Sequence, residues 1–256
     1  MHSRRFFFWI LPFTASLIAV LLFGYGFVSY LRGETGTPVD FLPSPGTEAS
    51  APASEAVAAI ILGDSLARGT GDPTGLGIAG RLDAELGRRG IGSARRTYNF
   101  AVSGARTPDL LSLLDRENIR TMMRESNVII VSIGGNDLWG GSGWRDEAPP
   151  DPDSVMNEVM SEIEKTLQEI RETSPKSRIF FIGLYNPFVS TPMGGEMTAA
   201  VSRWNSRLLE QFGDDPDFTL VHTSDLFSHR DRLALDRFHP SGEGYELIAR
   251  RIADGL

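Results

Sequence analysis

The sequence predicts an α/β domain: a parallel sheet covered by helices on both faces. Three observations carry this. Short runs of β-forming residues recur at 57–62, 96–101, 128–133, 178–184 and 218–222. Helix-period stretches at 78–89, 108–114, 118–124, 153–173 and 195–212 alternate with them, and 242–253 follows the last run. In the longest stretch Val155, Val159, Ile163, Leu167 and Ile170 make one apolar stripe at three- and four-residue steps, with Glu and Lys between them. Strand–helix alternation of this kind places parallel strands between two helical layers.

The first run ends in Gly63-Asp64-Ser65-Leu66. A glycine-flanked serine there has two readings. It is an ordinary turn, or it is a nucleophile presented where ligands of open α/β sheets bind. The second run leads into Asn99-Phe100-Ala101-Val102-Ser103-Gly104. The third, very apolar run leads into Gly134-Gly135-Asn136-Asp137. Asp236-Arg237-Phe238-His239-Pro240 stands just before the last helical stretch. In a doubly wound sheet the strand ends share one crevice, so these four segments can meet.

Their chemistry fits acyl transfer. A serine hydroxyl needs a base to take its proton, and His239 is the candidate. Asp236, three residues earlier, is close enough on a tight turn to orient the imidazole and stabilise its charged form. The alternative for each is a surface or turn residue. An oxyanion needs donors, and the candidates are the backbone N–H groups of Ser65 and Gly104 and the side-chain amide of Asn136. Turn chemistry is the other reading of Gly104 and Asn136. Asp64 and Asp137 abut these positions and are expected to hold turns by hydrogen bonds.

The four segments, in this order, resemble the blocks of the SGNH, or GDSL, family of serine esterases and lipases. The likeness rests on Gly63-Asp64-Ser65-Leu66, on Asn99 to Gly104, on Gly134-Gly135-Asn136-Asp137, and on Asp236 and His239-Pro240-Ser241 with Gly244-Tyr245 behind them. The stretch from Ala67 to Asp72 also looks family-like, and coverage runs from about residue 57 to 256. The resemblance implies a flavodoxin-like three-layer α/β/α sandwich, the SGNH hydrolase fold. It implies Ser65 as nucleophile, Asp236 and His239 completing a triad, and an oxyanion hole from Ser65, Gly104 and Asn136. It implies an ester substrate (a short acyl ester, a lysophospholipid or an acetylated glycan) and no cofactor or metal. Two other functions stay open: an O-acyltransferase using the same site, and a non-catalytic surface binding module.

Two loops are candidates for shaping the substrate site. Residues 138–152 carry Trp139 and Trp144, and residues 185–197 carry Phe188. Aromatic side chains beside a catalytic strand end make an acyl or leaving-group pocket, or else pack under their own loops.

Ahead of the domain, residues 6–30 contain no charged side chain. At about 1.5 Å per residue they are long enough for the roughly 30 Å hydrocarbon core. A cleaved signal peptide has a shorter apolar region. We expect a transmembrane anchor over 1–32, with the cytoplasmic N-terminus set by Arg4 and Arg5. Cleavage near 49–56 is the alternative. Residues 33–56 hold Pro38, Pro43, Pro45 and Pro52 among Gly, Ser, Thr and Ala, which makes a linker. The hydrolase domain is then 57–256, held outside a bacterial-type cell membrane.

Composition narrows the partners. The formal net charge is −8. Residues 1–32 hold three arginines and no acids, which leaves 22 basic against 33 acidic side chains, a balance of −11. Such a field repels nucleic acid. The absence of cysteine excludes disulfides, thiolate metal sites, a cysteine nucleophile and a cysteine-linked lipid anchor.

Overall fold

In a computed structural model of the chain, the described residues are 57–91, 96–139, 152–228 and 230–256, with Thr14, Ser16, Ile18, Ala19, Val20 and Tyr25 ahead of them. The chain divides into two units, Met1–Ala51 and Pro52–Leu256. In the first unit the six described residues are helical. The expected anchor and linker otherwise lie outside the described residues. Among the described residues no helix is long and apolar enough to cross a membrane.

The second unit is built on five parallel strands: β1 (Ala58–Gly63), β2 (Arg96–Asn99), β3 (Val128–Ser132), β4 (Arg178–Ile182) and β5 (Phe218–Val221). Their order is β2-β1-β3-β4-β5. The chain leaves β1 toward one edge, returns across it, and builds outward on the other side. The reversal falls at β1, so the crevice at a topological switch point opens beyond its C-terminal end.

Between the strands lie α1 (Ser65–Arg68), α2 (Gly77–Arg89), α3 (Thr107–Leu114), α4 (Glu117–Arg124), α5 (Gly135–Trp139), α6 (Pro152–Thr173), α7 (Gly194–Phe212) and, last, α8 (Gly242–Asp254). Alternating strand residues separate two cores. Ala59, Ile61, Ile130, Phe180 and Ile182 pack with Ile78, Leu82 and Leu86 of α2 and Tyr245, Ile248 and Ile252 of α8. Ile60, Leu62, Ile129, Val131 and Phe181 pack on the other face with α3, α4, α6 and α7, through side chains such as Leu110, Met123, Ile163 and Trp204. The inner strands β1, β3 and β4 are buried on both faces, which is why they read as continuous apolar runs, whereas β2 at the edge leaves Tyr98 and Asn99 exposed. At about 1.5–3 kcal/mol per buried aliphatic side chain, these two layers supply most of the drive to fold.

Most strands end one or two residues before the apolar runs do. At β2 the cause is local. The Asn99 carbonyl oxygen Oδ1 accepts from the Ala101 N–H at 3.0 Å, while Asn99 Nδ2 donates to the Ala67 carbonyl at 2.9 Å. The side chain turns the backbone out of the ladder and ties it to α1.

Candidate active site

Each predicted segment leaves the C-terminal end of a strand or enters α8. Ser65 is the first residue of α1, two positions past Gly63. Asp64 is its N-cap, with Oδ1 accepting from the Leu66 N–H at 3.1 Å. The cap fixes the start of the helix and with it the serine. The Ser65 N–H has no hydrogen-bond partner among the described residues, as expected for the first turn of a helix.

Asp236 and His239 share one loop between β5 and α8. Asp236 Oδ1 accepts from the backbone N–H groups of Phe238 and His239, both at 3.0 Å. Its other oxygen lies 2.7 Å from His239 Nδ1. His239 Nε2 lies 2.9 Å from Ser65 Oγ. With a carboxylate facing Nδ1, the proton belongs on Nδ1, and the Nε2 lone pair faces the serine hydroxyl. Desolvation pushes the Asp236 carboxyl up. The hydrogen bonds from the His239 ring and the two backbone N–H groups outweigh it and hold the carboxyl below its ordinary value.

Gly71 lets the two loops approach. Its φ is +96°, and a Cβ there would lie 2.7 Å from the Pro240 carbonyl oxygen and 2.9 Å from His239 Cβ. The loop that follows Ser65 and the loop that carries His239 therefore touch backbone against side chain. They are also joined by the Tyr245 hydroxyl, which donates to the Thr70 carbonyl at 2.7 Å.

Asn136 lies in the first turn of α5 and donates through Nδ2 to the Ala105 carbonyl at 2.8 Å. One amide hydrogen is thus used to hold the side chain, and a second remains on the same nitrogen. The bond brings that nitrogen beside Gly104, one residue before Ala105. Gly104 is exposed, with φ +82°, in the turn closed by the Ala105 N–H on the Val102 carbonyl at 3.0 Å. Its N–H also has no hydrogen-bond partner among the described residues. Ser65 Oγ thus faces the His239 ring, whose other nitrogen faces the Asp236 carboxylate, and Asn136 is tied to the turn that carries Gly104.

The two flanking aspartates have distinct surroundings. Asp64 is buried and also accepts from Ser132 Oγ at 3.1 Å. Desolvation raises its carboxyl to about 6, against hydrogen bonds from Ser132, Leu66 and Ala67 and attraction to His239. Asp137 accepts from the Thr107 N–H with both oxygens, at 3.1 and 3.2 Å, so it ties the turn after β3 to the start of α3. Burial raises its carboxyl as well.

Phe188 lies on the loop after β4. Its ring centre is 5.8 Å from that of Phe238, and the Phe238 ring meets His239 edge-on at 4.9 Å. Trp139 ends α5, and Trp144 lies outside the described residues. Phe238 links the aromatic loop to the histidine, and in the sequence nothing marks it beyond its place between Asp236 and His239. Asp72, in the sequence only the end of the family-like stretch, is a second such residue. It accepts from Arg81 Nε at 3.0 Å and from the N–H groups of Thr74 and Gly77, both at 3.0 Å. Desolvation pushes its carboxyl up, but these bonds hold it at about 2. This pair lies under Gly242 at the start of α8, and so braces the loop after Ser65 against the helix that follows His239. The signal available was an acid and an arginine nine residues apart, which sequence alone does not bring together.

A surface depression of about 380 Å³ between α6 and α7 is lined by Asn157, Glu164, Arg207 and Gln211 among others. It shares no residue with the strand-end cluster and contains no nucleophile–base pair.

With strand order and site geometry in hand, the chain falls into a known class. It belongs to the GDSL-like lipase/acylhydrolase family, whose model matches residues 61–247. Among its relatives is the uncharacterized protein YpmR of Bacillus subtilis (strain 168), 29% identical over 202 residues, 76% of this chain and 79% of that protein. Another is the spore germination lipase LipC of Bacillus licheniformis, 27% identical over 163 residues, 60% of this chain and 74% of that protein. Among solved structures, the lipase Lip_vut3 from a goat rumen metagenome superposes with a TM-score of 0.66 at 24% identity, covering 77% of this chain and 96% of that one. A family 3 carbohydrate esterase from Clostridium thermocellum gives 0.56 at 18% identity, covering 77% and 94%. At these identities the solved structures speak for the fold alone.

Proposed function

We propose that the domain is a serine carboxylic ester hydrolase acting through Ser65, His239 and Asp236. The observation that carries this is one continuous line of contacts: Asp236 Oδ2 to His239 Nδ1 at 2.7 Å, and His239 Nε2 to Ser65 Oγ at 2.9 Å. Family membership supports an esterase-type activity.

Ser65 Oγ attacks the ester carbonyl carbon as its proton passes to His239 Nε2. The imidazolium is stabilised by the Asp236 carboxylate, which stays ionised. The carbonyl oxygen becomes an anion and takes hydrogen bonds from the Ser65 N–H, the Gly104 N–H and the second hydrogen of Asn136 Nδ2. His239 then gives its proton to the departing alkoxide, leaving an acyl-serine. Water repeats the sequence with His239 as base, releasing the acid and restoring Ser65. The test is hydrolysis of p-nitrophenyl esters by the wild type and by Ser65→Ala. Loss of turnover in a folded Ser65→Ala protein supports the reading, and retained turnover overturns it.

The same reading includes a membrane anchor over residues 6–30, with the hydrolase domain outside the cell. Its support is the uncharged length of that segment and the arginines ahead of it. Protease added to intact spheroplasts should degrade the domain. Protection while the membrane stays sealed contradicts the orientation, and a fully soluble mature chain contradicts the anchor.

A further inference from the structure

His239 is the group that returns a proton to the departing alkoxide, so whatever stands beside its ring stands beside the leaving alcohol. What stands there is aromatic. Phe238 meets the imidazole edge-on at 4.9 Å, and Phe188 continues the surface 5.8 Å further out. Phe238 is held in place from behind, because the Tyr185 hydroxyl donates to its carbonyl at 2.6 Å.

The loop that carries Phe188 is inverted relative to an ordinary surface loop. Three of its polar side chains, Tyr185, Asn186 and Thr191, are spent on hydrogen bonds within the protein, and Ser190 is exposed. Asn186 Nδ2 donates to the Gly194 carbonyl at 2.8 Å and to Thr198 Oγ1 at 2.9 Å, and Asn186 Oδ1 accepts from the Phe188 N–H at 2.8 Å. Thr191 Oγ1 donates to the Phe188 carbonyl at 2.9 Å. The apolar groups are left outside: Val189 is 52% exposed and Met193 37%. Leu235, directly before Asp236, is fully exposed. Exposed aliphatic side chains cost nothing singly, but Val189 directly follows Phe188 and Leu235 stands three residues before Phe238, so they extend the apolar character of the two segments that carry the aromatic rings. A sugar alcohol needs several hydrogen-bonding side chains aimed at its hydroxyls, and with Asn186, Thr191 and Tyr185 already committed within the protein this loop offers the Ser190 hydroxyl alone.

We infer that the Phe238–Phe188 surface is the leaving-group site and that it takes the hydrocarbon part of an apolar alcohol. The inference rests on the serine esterase reading above and adds the substrate class: esters of fatty or otherwise apolar alcohols, distinguished by the alcohol side and not the acyl side.

Butyrate esters of ethanol, butanol, hexanol and octanol test it, kept below their solubility limits. These alcohols have nearly equal acidity, so leaving ability is constant and only apolar contact changes. The expected result is a rise in kcat/KM of about tenfold from the ethyl to the hexyl ester. Ethyl esters of acids lengthened by the same carbons should rise less. Phe188→Ala should return the hexyl-to-ethyl ratio toward one. The series on the unmodified chain is decisive whether or not that variant folds. A flat alcohol series, an equal gain on the acyl side, or an acetylated xyloside cleaved faster than hexyl acetate overturns the inference. Fluorophosphonate labelling separates the two levels. Labelled Ser65 with a flat series removes the leaving-group site and spares the esterase reading. No labelling and no hydrolysis remove the esterase reading and the inference with it.

Discussion

Asp236 holds His239 by three bonds, one to its ring and, through the other oxygen, two to the backbone N–H groups of Phe238 and His239. A single carboxylate thus builds the turn and orients the imidazole. Two substitutions separate these tasks. Asp236→Asn keeps an oxygen for the turn but places an amide nitrogen against Nδ1, which favours the wrong tautomer. It should keep the melting temperature within about 2 °C and lower kcat by about 10⁴-fold. Asp236→Ala should lower both, because the turn N–H groups lose their acceptor. Steady-state kinetics and thermal melts on the same samples check this. An Asp236→Asn enzyme with wild-type kcat would show that another group orients His239.

Asn136 should act only after attack, when the carbonyl oxygen carries charge. Asn136→Ala should lower kcat by about 10²–10³-fold, with KM changed only a few-fold. It also removes the donor to the Ala105 carbonyl, so the fold should weaken by about 1 kcal/mol. Unchanged kcat in the folded variant would confine Asn136 to holding the turn.

Both the sheet and the constellation were legible in the sequence, for different reasons. Strands buried on both faces leave uninterrupted apolar runs, so β1 and β3 were plain. The longest helix kept its stripe from Val155 to Ile170, and it spans Pro152–Thr173. The short helices α1 and α5 were not legible. Four or five residues are too few to show a period, and their flanking glycines read as turns. Ser65 was legible as a candidate nucleophile at a strand end, but not the helix that it opens, capped by Asp64. Phe188 was visible as a loop aromatic, whereas its route to His239 runs through Phe238, which periodicity says nothing about. The expectation that Asp64 and Asp137 hold turns matches their bonds, but Asp137 reaches across to Thr107 on another segment, a pairing no local pattern encodes.

Asp64 should set a pH dependence of stability. Its carboxyl is raised from an ordinary 3.8 to about 6. The folded chain therefore keeps a proton that the unfolded chain has released. The resulting stabilisation is full below about pH 3.8 and is lost as pH rises through about 6. A shift of this size corresponds to roughly 3 kcal/mol. Asp64→Asn keeps a cap and does not titrate. Its melting temperature relative to wild type should rise from pH 4 to pH 7 and level off above. A constant difference across that range would mean that Asp64 is ionised throughout.

Gly71 should matter to chemistry in a way that Gly75 does not. Both have positive φ, at 96° and 70°. A Cβ at Gly75 meets nothing within 4 Å, whereas one at Gly71 meets His239 Cβ and the Pro240 carbonyl oxygen. Gly75→Ala should cost about 1–2 kcal/mol of stability and little activity. Gly71→Ala should add at least a tenfold loss of kcat by moving the histidine from Ser65. Equal kcat in the two variants would contradict the close approach of the loops.

If Ser65 is a nucleophile activated by His239, a fluorophosphonate probe followed by intact-mass measurement should find one adduct per chain, mapped to Ser65, absent in Ser65→Ala and much slower to form in His239→Ala. An unlabelled wild-type chain, or equal labelling after Ser65→Ala, would contradict that role.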